Sequence, residues 1–161
     1  MGNALRSMVG TGAAVVGAAV AGGRAGSGAR SAWYAALDKP SFQPPGPVFP
    51  VAWTLLYADI AVTSGLTLAA LQDRGREAES RRFAAALAAN LVVNAGWSWV
   101  FFRWHRLGQA VLTAGLLAVS SADLVRRAGR LSPAVAGALA PYPAWCGFAT
   151  VLSAAIWRRN R

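Results

Sequence analysis

Side chains that could hold a ligand recur at helical spacing in three apolar stretches of this sequence. Residues four or seven apart lie on one face of a helix, so each set presents its side chains together. Indole, phenol and amide groups combine flat apolar surface with a few hydrogen-bonding atoms, which suits a planar hydrophobic ligand stacked on the indoles. The sets are Trp53 and Tyr57; Asn90, Asn94 and Trp97; and Trp145 and Ala149, with Tyr142 close by.

The chain has few residues of the types that conventional enzyme catalysis uses. There is one His and one Cys, and no CxxC, HExxH, GxGxxG or Walker pattern. His105, in the segment RWHRL, could ligate a haem iron, but its arginine neighbours favour a solvated or interfacial position. Cys146 excludes a disulfide within the chain and is typical of a small core residue. Hydrolase chemistry and a metal site are therefore not expected.

The elements that must position these side chains are membrane-spanning helices. Hydrophobic residues make up 55% of the chain and charged residues 14%, against about 25% charged in soluble domains. Five continuous apolar stretches approach the roughly 20 residues that a span needs, and continuity favours helices over a barrel. The sequence predicts an all-α membrane protein, a five-transmembrane-helix bundle, as a single domain over residues 1–161. The predicted spans are 8–23, 48–71, 83–102, 107–125 and 134–157.

The first span allows a second interpretation. Arg6, an apolar run and the small residues 19–21 imitate a cleaved signal peptide. A ridge of small residues at every fourth position argues for a retained helix, because such a ridge lets helices approach closely. The ridge consists of Gly10, Ala14, Ala18 and Gly22.

Between the first two spans, residues 24–47 form a lid loop rich in proline and aromatic residues. The wider segment from Trp33 to Tyr57 holds two Trp, two Tyr, two Phe and five Pro. Five prolines cannot sit inside one regular helix, so the aromatic residues before the second span lie on a stiff, irregular loop. Such residues suit a membrane–water boundary or the cover of a ligand pocket.

Charge is concentrated at the ends of the spans. The formal net charge of +10 would suit nucleic acid, but arginines at span ends are typical of lipid-headgroup anchors. Lys and Arg number eight on each side of the predicted bundle, so they do not set its orientation. Asp59 is the exception, near the middle of the second span, where an ionised carboxylate costs about 2.5 kcal/mol or more. It lies about 240° around the helix from Trp53, away from the predicted ligand face.

Three motifs in order resemble the TspO/MBR family, the tryptophan-rich sensory proteins that are similar to the mitochondrial translocator protein (peripheral benzodiazepine receptor). They are WYxxLxKPxFxPPxxVFPxAWTxLY from Trp33, NxxWxxxFF from Asn94 and PYxxWxxFAxxL from Pro141. The resemblance implies a homodimer in a bacterial cell membrane, with a cavity capped by the first loop. It also implies a porphyrin ligand, protoporphyrin IX or haem, and no obligatory cofactor.

The resemblance assigns roles to individual positions. Trp53, Asn90 and Trp145 match the indole–amide–indole core of the family pocket, and Tyr34 and Phe49 match the lid and its entry to the second span. Asn94 and Trp97 match the third-span motif of the family. The chain departs from the family at Ser153, where Asn is common, and at Pro143, which is expected to deepen a kink. It also lacks the last-helix Tyr of the sterol-recognition pattern in animal members.

Two classes of function stay open at this point. In the first, the cavity binds a tetrapyrrole and a partner reads the occupied state, as in sensing, regulation or stress response. In the second, the protein is a light-dependent porphyrin-degrading enzyme, with Trp53 and Trp145 as the catalytic candidates. Porphyrin or sterol transport is weaker, because five spans show no inverted repeat. Plain packing is the alternative for each residue taken singly, since Trp, Tyr and Asn are common between spans.

Overall fold

The computed structural model describes residues 2–161, without the side chain of Asn3. Those residues form helices and loops and no strand. The helices are α1 (Gly2–Gly26), α2 (Ala32–Ala36), α3 (Val48–Asp73), α4 (Glu77–Ser98), α5 (Leu107–Gly129), α6 (Pro133–Leu139) and α7 (Pro141–Arg159). A 3₁₀ turn at Ser27–Arg30 follows α1, and a π-helical turn at Trp99–Arg103 extends α4.

The predicted all-α, five-span architecture is confirmed. Five segments are long and apolar enough to cross a membrane: 4–30, 48–73, 77–103, 107–129 and 133–159. All five are longer than predicted, the first and third by the most. The first extends to residue 4 at one end and residue 30 at the other, and within it the Thr11 hydroxyl is satisfied by donating to the Ser7 carbonyl at 2.9 Å. The third begins at Glu77 because acidic side chains in a first turn favour a helix N-terminus.

The turn between α3 and α4 is closed by a glycine. Gly75 has a φ of +66°, which suits a residue without a Cβ. Its N–H donates to the Gln72 carbonyl at 2.9 Å, and the N–H of Arg76 donates to the Leu71 carbonyl at 2.8 Å. This pair of bonds is a Schellman motif, and it lets α4 run back antiparallel to α3 after a very short loop.

Helix α1 packs closely on α3. The Thr11 hydroxyl contacts the Ala61 carbonyl at 2.8 Å, and a Cβ added to Gly65 would lie 3.0–3.1 Å from atoms of Met8 and Thr11. The small-residue ridge predicted on α1 is split by this packing. Gly22 is buried against α4, whereas Gly10 and Ala14 are exposed.

Proline divides the last span into α6 and α7. Pro141 and Pro143 both lie in the first turn of α7, where a missing N–H breaks no helical hydrogen bond. The expected deeper kink at Pro143 is therefore replaced by a break before Pro141. Ser132 caps α6, and its side chain accepts a bond from the N–H of Val135 at 3.4 Å.

The lid begins at Ser27, three residues later than predicted, because α1 continues to Gly26. Trp33 and Tyr34 lie on the short helix α2 and not on an irregular loop, since Ser31 caps that helix by accepting from the Tyr34 N–H.

The lid, residues 27–47, is tied to the end of α7 and to the α4–α5 loop. Asp38 and Asn160 exchange two hydrogen bonds of 2.9 Å, from the Asp38 N–H to the amide oxygen and from the amide nitrogen to the Asp38 carbonyl. Arg159 lies 3.3 Å from the Asp38 carboxylate. On the other side, the Trp33 ring stacks on His105 with centroids 3.8 Å apart. These contacts hold the lid over the end of the bundle where α7 ends and where the α4–α5 loop lies.

Candidate functional site

A cavity of about 590 Å³ lies beneath the lid. It is enclosed by the C-terminal end of α1, the start of α3, the end of α4 with its π turn, and α7. All these ends lie on the lid side of the bundle. Nine of its 24 lining residues are aromatic.

Eight of the ten residues predicted as ligand contacts line this cavity. Their rings lie close together: Trp53 and Tyr57 have centroids 5.4 Å apart, and Phe49 and Trp145 have centroids 6.1 Å apart. Three separate helices and the lid thus bring their aromatic faces to one space. The eight are Tyr34, Phe49, Trp53, Tyr57, Asn94, Trp97, Trp145 and Ala149.

Asn90 and Tyr142, the remaining two, lie below the cavity wall. Both side chains are 0% exposed, and neither lines the cavity. The Tyr142 hydroxyl donates to the Asn90 amide oxygen at 2.7 Å, and the Asn90 amide nitrogen donates to Ser120 at 2.7 Å. The structure therefore places them in the layer that supports the cavity floor, one step away from a ligand.

A chain of hydrogen bonds links this layer to the cavity. The Tyr57 hydroxyl donates to the Asn94 amide oxygen at 2.8 Å, and the Asn94 amide nitrogen donates to the Tyr142 hydroxyl at 3.1 Å. With Asn90 and Ser120 the chain crosses α3, α4, α7 and α5. Satisfied buried networks of this kind fix the side chains that take part, so the floor is held rigid.

The π-helical turn at the end of α4 adds residues that the ligand prediction missed. The N–H of Trp104 donates to the Trp99 carbonyl at 2.9 Å, five residues back, and Phe101 and Phe102 line the cavity. Phe101 packs on Trp97 with centroids 5.4 Å apart. Both phenylalanines stand in the NxxWxxxFF motif, so the signal was present, but the turn that aims them was not readable from it.

The wall formed by α1 was also missed. Glycines at 22, 23 and 26 leave room there, and the Trp99 indole N–H donates to the Ala21 carbonyl at 2.9 Å, which joins α1 to α4. The available signal was the glycine-rich end of the first span. The α1 residues and those of the following turn that line the cavity are Ala19, Gly22, Gly23, Gly26, Ser27, Ala29 and Arg30.

Two polar groups at the cavity are notable. The indole nitrogen of Trp97 is buried and has no hydrogen-bond partner among the described residues. Tyr34 is half-buried at the rim, and burial raises the pKa of its phenol, an effect that Gln43 partly offsets. The phenol is therefore neutral at ordinary pH. Within residues 2–161, no group of three or more His, Cys, Asp or Glu side chains could hold a metal ion.

Comparison with known proteins decides the family. A sequence model of the TspO/MBR family matches residues 11–158. The chain belongs to the TspO/MBR family. It is 32% identical over 128 residues to the uncharacterized membrane protein YtaB of Bacillus subtilis, with 80% of each chain covered. It is also 32% identical to the translocator protein of Homo sapiens, with 80% of this chain and 75% of that protein covered, and 33% identical to protein CrtK of Rhodobacter capsulatus, with 80% and 79% covered.

Membership of the TspO/MBR family confirms the resemblance found in the three motifs, and it identifies a multi-pass integral membrane protein. The departure noted at position 153 falls in the cavity. Ser153 lines it beside Leu152 and Ala149, so the shorter hydroxyl leaves more space there than an Asn side chain would. His105, considered as an axial haem ligand, is exposed, has a φ of +56° and lies outside the cavity lining.

Proposed function

We propose that this protein binds a planar hydrophobic ligand of the tetrapyrrole class, protoporphyrin IX or haem, in the cavity beneath the lid, and that it acts in sensing, regulation or stress response. The observation that carries the proposal is the convergence of Trp53, Trp97 and Trp145 on one cavity. Its volume of about 590 Å³ falls within the 300–1,000 Å³ typical of small-molecule sites.

The chemistry of the wall supports a flat ligand over a flexible chain. Aromatic faces prefer offset stacking or edge contacts with another ring, and rings from α3, α4 and α7 border the cavity on different sides. Polar groups are few and fixed, because Asn94 is held by Tyr57 and Tyr142. A site with broad apolar surfaces and a few oriented polar atoms binds by shape and stacking first.

A sensing role is supported by the connection between cavity and lid. Tyr34 and Phe49 line the cavity, and the same segment reaches Asn160 and His105 at the surface. A ligand that displaces Tyr34 would therefore change the surface formed by the lid and the α4–α5 loop. A partner protein that contacts this surface would read the occupied state.

Light-dependent porphyrin degradation is the second candidate. The observation in its favour is that Trp53 and Trp145 both border the cavity, so a bound porphyrin would contact oxidisable indoles. The two functions share one binding step and differ in whether the porphyrin survives illumination.

One experiment tests both candidates. Purified protein in detergent is mixed with protoporphyrin IX in the dark, and tryptophan quenching is titrated; the sample is then illuminated and analysed by absorbance and mass spectrometry. Saturable quenching with unchanged porphyrin supports binding alone. A light-dependent product that free porphyrin does not form supports the enzyme.

A variant pair locates the ligand. Trp53→Phe with Trp145→Phe is expected to weaken binding, whereas the control Trp104→Phe, at a side chain 58% exposed, is expected to leave it unchanged. Undiminished affinity in the double variant would place the ligand elsewhere.

A further inference from the structure

The cavity rim carries one charged side chain among the described residues. Arg30 is the sole Asp, Glu, Lys or Arg that lines it. No acidic residue of the described chain forms an ion pair with Arg30, because Asp38 pairs with Arg159 and the other ion pairs lie at Glu79 and Asp123. An arginine facing an apolar cavity without a protein partner is free to bind an anionic group of a ligand.

The turn that bears Arg30 is held tightly against α4. A Cβ added to Gly28 would lie 2.9 Å from the Phe102 carbonyl oxygen, so glycine permits this close approach. The Ser31 N–H and hydroxyl both donate to the Gly28 carbonyl, at 3.0 and 2.6 Å. Arg30 therefore extends from a fixed backbone next to the lid residue Tyr34.

The described part of the cavity lining also includes one buried donor without a partner, whereas the hydroxyls of Ser98 and Ser153 can donate or accept. The Asn94 amide oxygen already accepts from Tyr57, and the Tyr57 hydroxyl has thereby used its proton. The Trp97 indole N–H has no acceptor among the described residues. An unmet buried donor costs free energy that a ligand acceptor would recover.

The distribution of charge between the two faces of the bundle also favours an anionic ligand. The face that bears the lid carries eight basic residues and one acidic residue, whereas the opposite face carries eight basic and four acidic residues. A face with excess positive charge attracts anions toward its openings. The lid-side residues are Arg24, Arg30, Lys39, Arg103, Arg106, Arg158, Arg159 and Arg161, with Asp38.

We propose that the cavity selects acidic ligands: planar apolar molecules that carry an ionised carboxylate at one edge, with the Arg30 guanidinium binding that carboxylate and the Trp97 N–H donating to an acceptor on the apolar body. This inference rests on the proposed function, since it specifies the chemical class of ligand for the same cavity. Neutral molecules of the same shape bind more weakly because they leave Arg30 without an anionic partner.

The test compares protoporphyrin IX, a dicarboxylic acid, with its uncharged dimethyl ester. Affinities of both are measured for the wild type, Arg30→Gln and the matched control Arg158→Gln, which removes a charge from the same face outside the cavity. The quantity compared is the ratio of the two affinities in each protein, because partition of each probe into detergent cancels when ratios are compared between variants. The wild type is expected to prefer the acid.

In Arg30→Gln the preference for the acid is expected to fall by about tenfold, the value of a charge-assisted hydrogen bond, with ester affinity unchanged. Arg158→Gln keeps the wild-type preference. Trp97→Phe is expected to weaken both probes together, since its acceptor lies on the shared ring system.

The other possible outcomes each refute either the proposed function or one part of the proposed ligand selection. If the wild type binds neither probe, the proposed function fails. If it binds both and Arg30→Gln leaves the ratio unchanged, or Arg158→Gln lowers it equally, binding in the cavity stands and the selection by Arg30 is refuted. Unchanged affinity for both probes in Trp97→Phe removes the role of its N–H.

Discussion

At the scale of single residues, the Tyr142 hydroxyl joins two buried amides. It donates to Asn90 and accepts from Asn94, and all three residues are at least 97% buried. Each of these side chains is satisfied only while the others keep their places. The cavity floor therefore depends on a residue that does not touch the cavity.

Tyr142→Phe is expected to destabilise the protein by about 1–3 kcal/mol, because it leaves an acceptor on Asn90 and a donor on Asn94 buried without their partner. Thermal unfolding in detergent, followed by circular dichroism, measures the change. Tyr34→Phe, at the half-buried rim, is the control and should shift the midpoint much less. Equal shifts of the unfolding midpoint in the two variants would show that the buried network contributes no more stability than a hydroxyl at the rim.

In contrast to the Tyr142 hydroxyl, the Asp59 carboxyl has a buried oxygen, Oδ2, without a hydrogen-bond partner among the described residues. Asp59 lies near the middle of the 26-residue helix α3. A carboxylate at this depth is costly, and Asp59 is not among the residues that line the cavity.

Asp59→Leu is therefore expected to improve membrane insertion of the second span, by about 3 kcal/mol on insertion scales. Its thermal midpoint should equal or exceed that of the wild type, since no bond is lost. Asp59→Asn keeps the shape of the side chain and removes its charge, so its thermal midpoint should likewise equal or exceed that of the wild type. A lowered midpoint in both variants would reveal a partner for Asp59, such as a second protomer.

At the level of the structural elements, the middle of the lid is held by contacts on two sides, from Trp33 to the α4–α5 loop and from Asp38 to the C-terminal end of the chain. The Asp38–Asn160 pair joins it to α7 through two bonds of 2.9 Å, and both residues are near the surface. Exposed hydrogen bonds of this kind are individually weak, so a single substitution at this contact is a mild way to loosen the lid.

Asn160→Ala is expected to speed ligand release about two- to tenfold, because it removes the two Asp38–Asn160 bonds and leaves the weaker Arg159–Asp38 ion pair as the polar contact of Asp38. Stopped-flow dilution of the porphyrin complex gives the off-rate. The neighbouring substitution Arg161→Ala, at a residue that contacts Trp157 and not the lid, should leave the rate unchanged. An off-rate that does not respond to Asn160→Ala would mean that the lid does not limit release.

The elements differ in how far the sequence predicted them. Continuous apolar runs and the proline-rich lid were readable, because hydropathy and proline act locally. The π turn at Trp99–Arg103 and the break before Pro141 depend on packing between helices, so the motif spacing could not place them. For the same reason Asn90 was assigned to the pocket, although its amide turns to Ser120 and Tyr142.

At the scale of the whole molecule, an exposed strip of small residues on α4 is available for a second copy of this chain. The four alanines at positions 84, 85, 88 and 89 are exposed, and Val92 on the same helix is 72% exposed. Helices in lipid associate through close backbone packing, which small side chains allow. We propose a homodimer through α4, with the exposed Gly10 and Ala14 of α1 as neighbours of the interface.

Ala85→Leu with Ala89→Leu, or the Ala84 and Ala88 pair, is expected to convert the dimer to a monomer, because the added bulk separates the backbones. Light scattering with detergent correction and crosslinking in native membranes report the state. A wild type that is monomeric in both settings would refute the dimer.

If a porphyrin occupies the cavity beneath the lid, filling that cavity with larger side chains must abolish its binding. Gly26 on α1 and Ala149 on α7 both line the space. Gly26→Leu with Ala149→Phe places bulk inside it, while Gly17→Leu with Val151→Phe puts the same residue types on exposed positions of the same two helices. Protoporphyrin IX titration by tryptophan quenching is expected to show lost saturable binding in the first variant and wild-type affinity in the second. Wild-type affinity in the folded, cavity-filled protein would contradict the account.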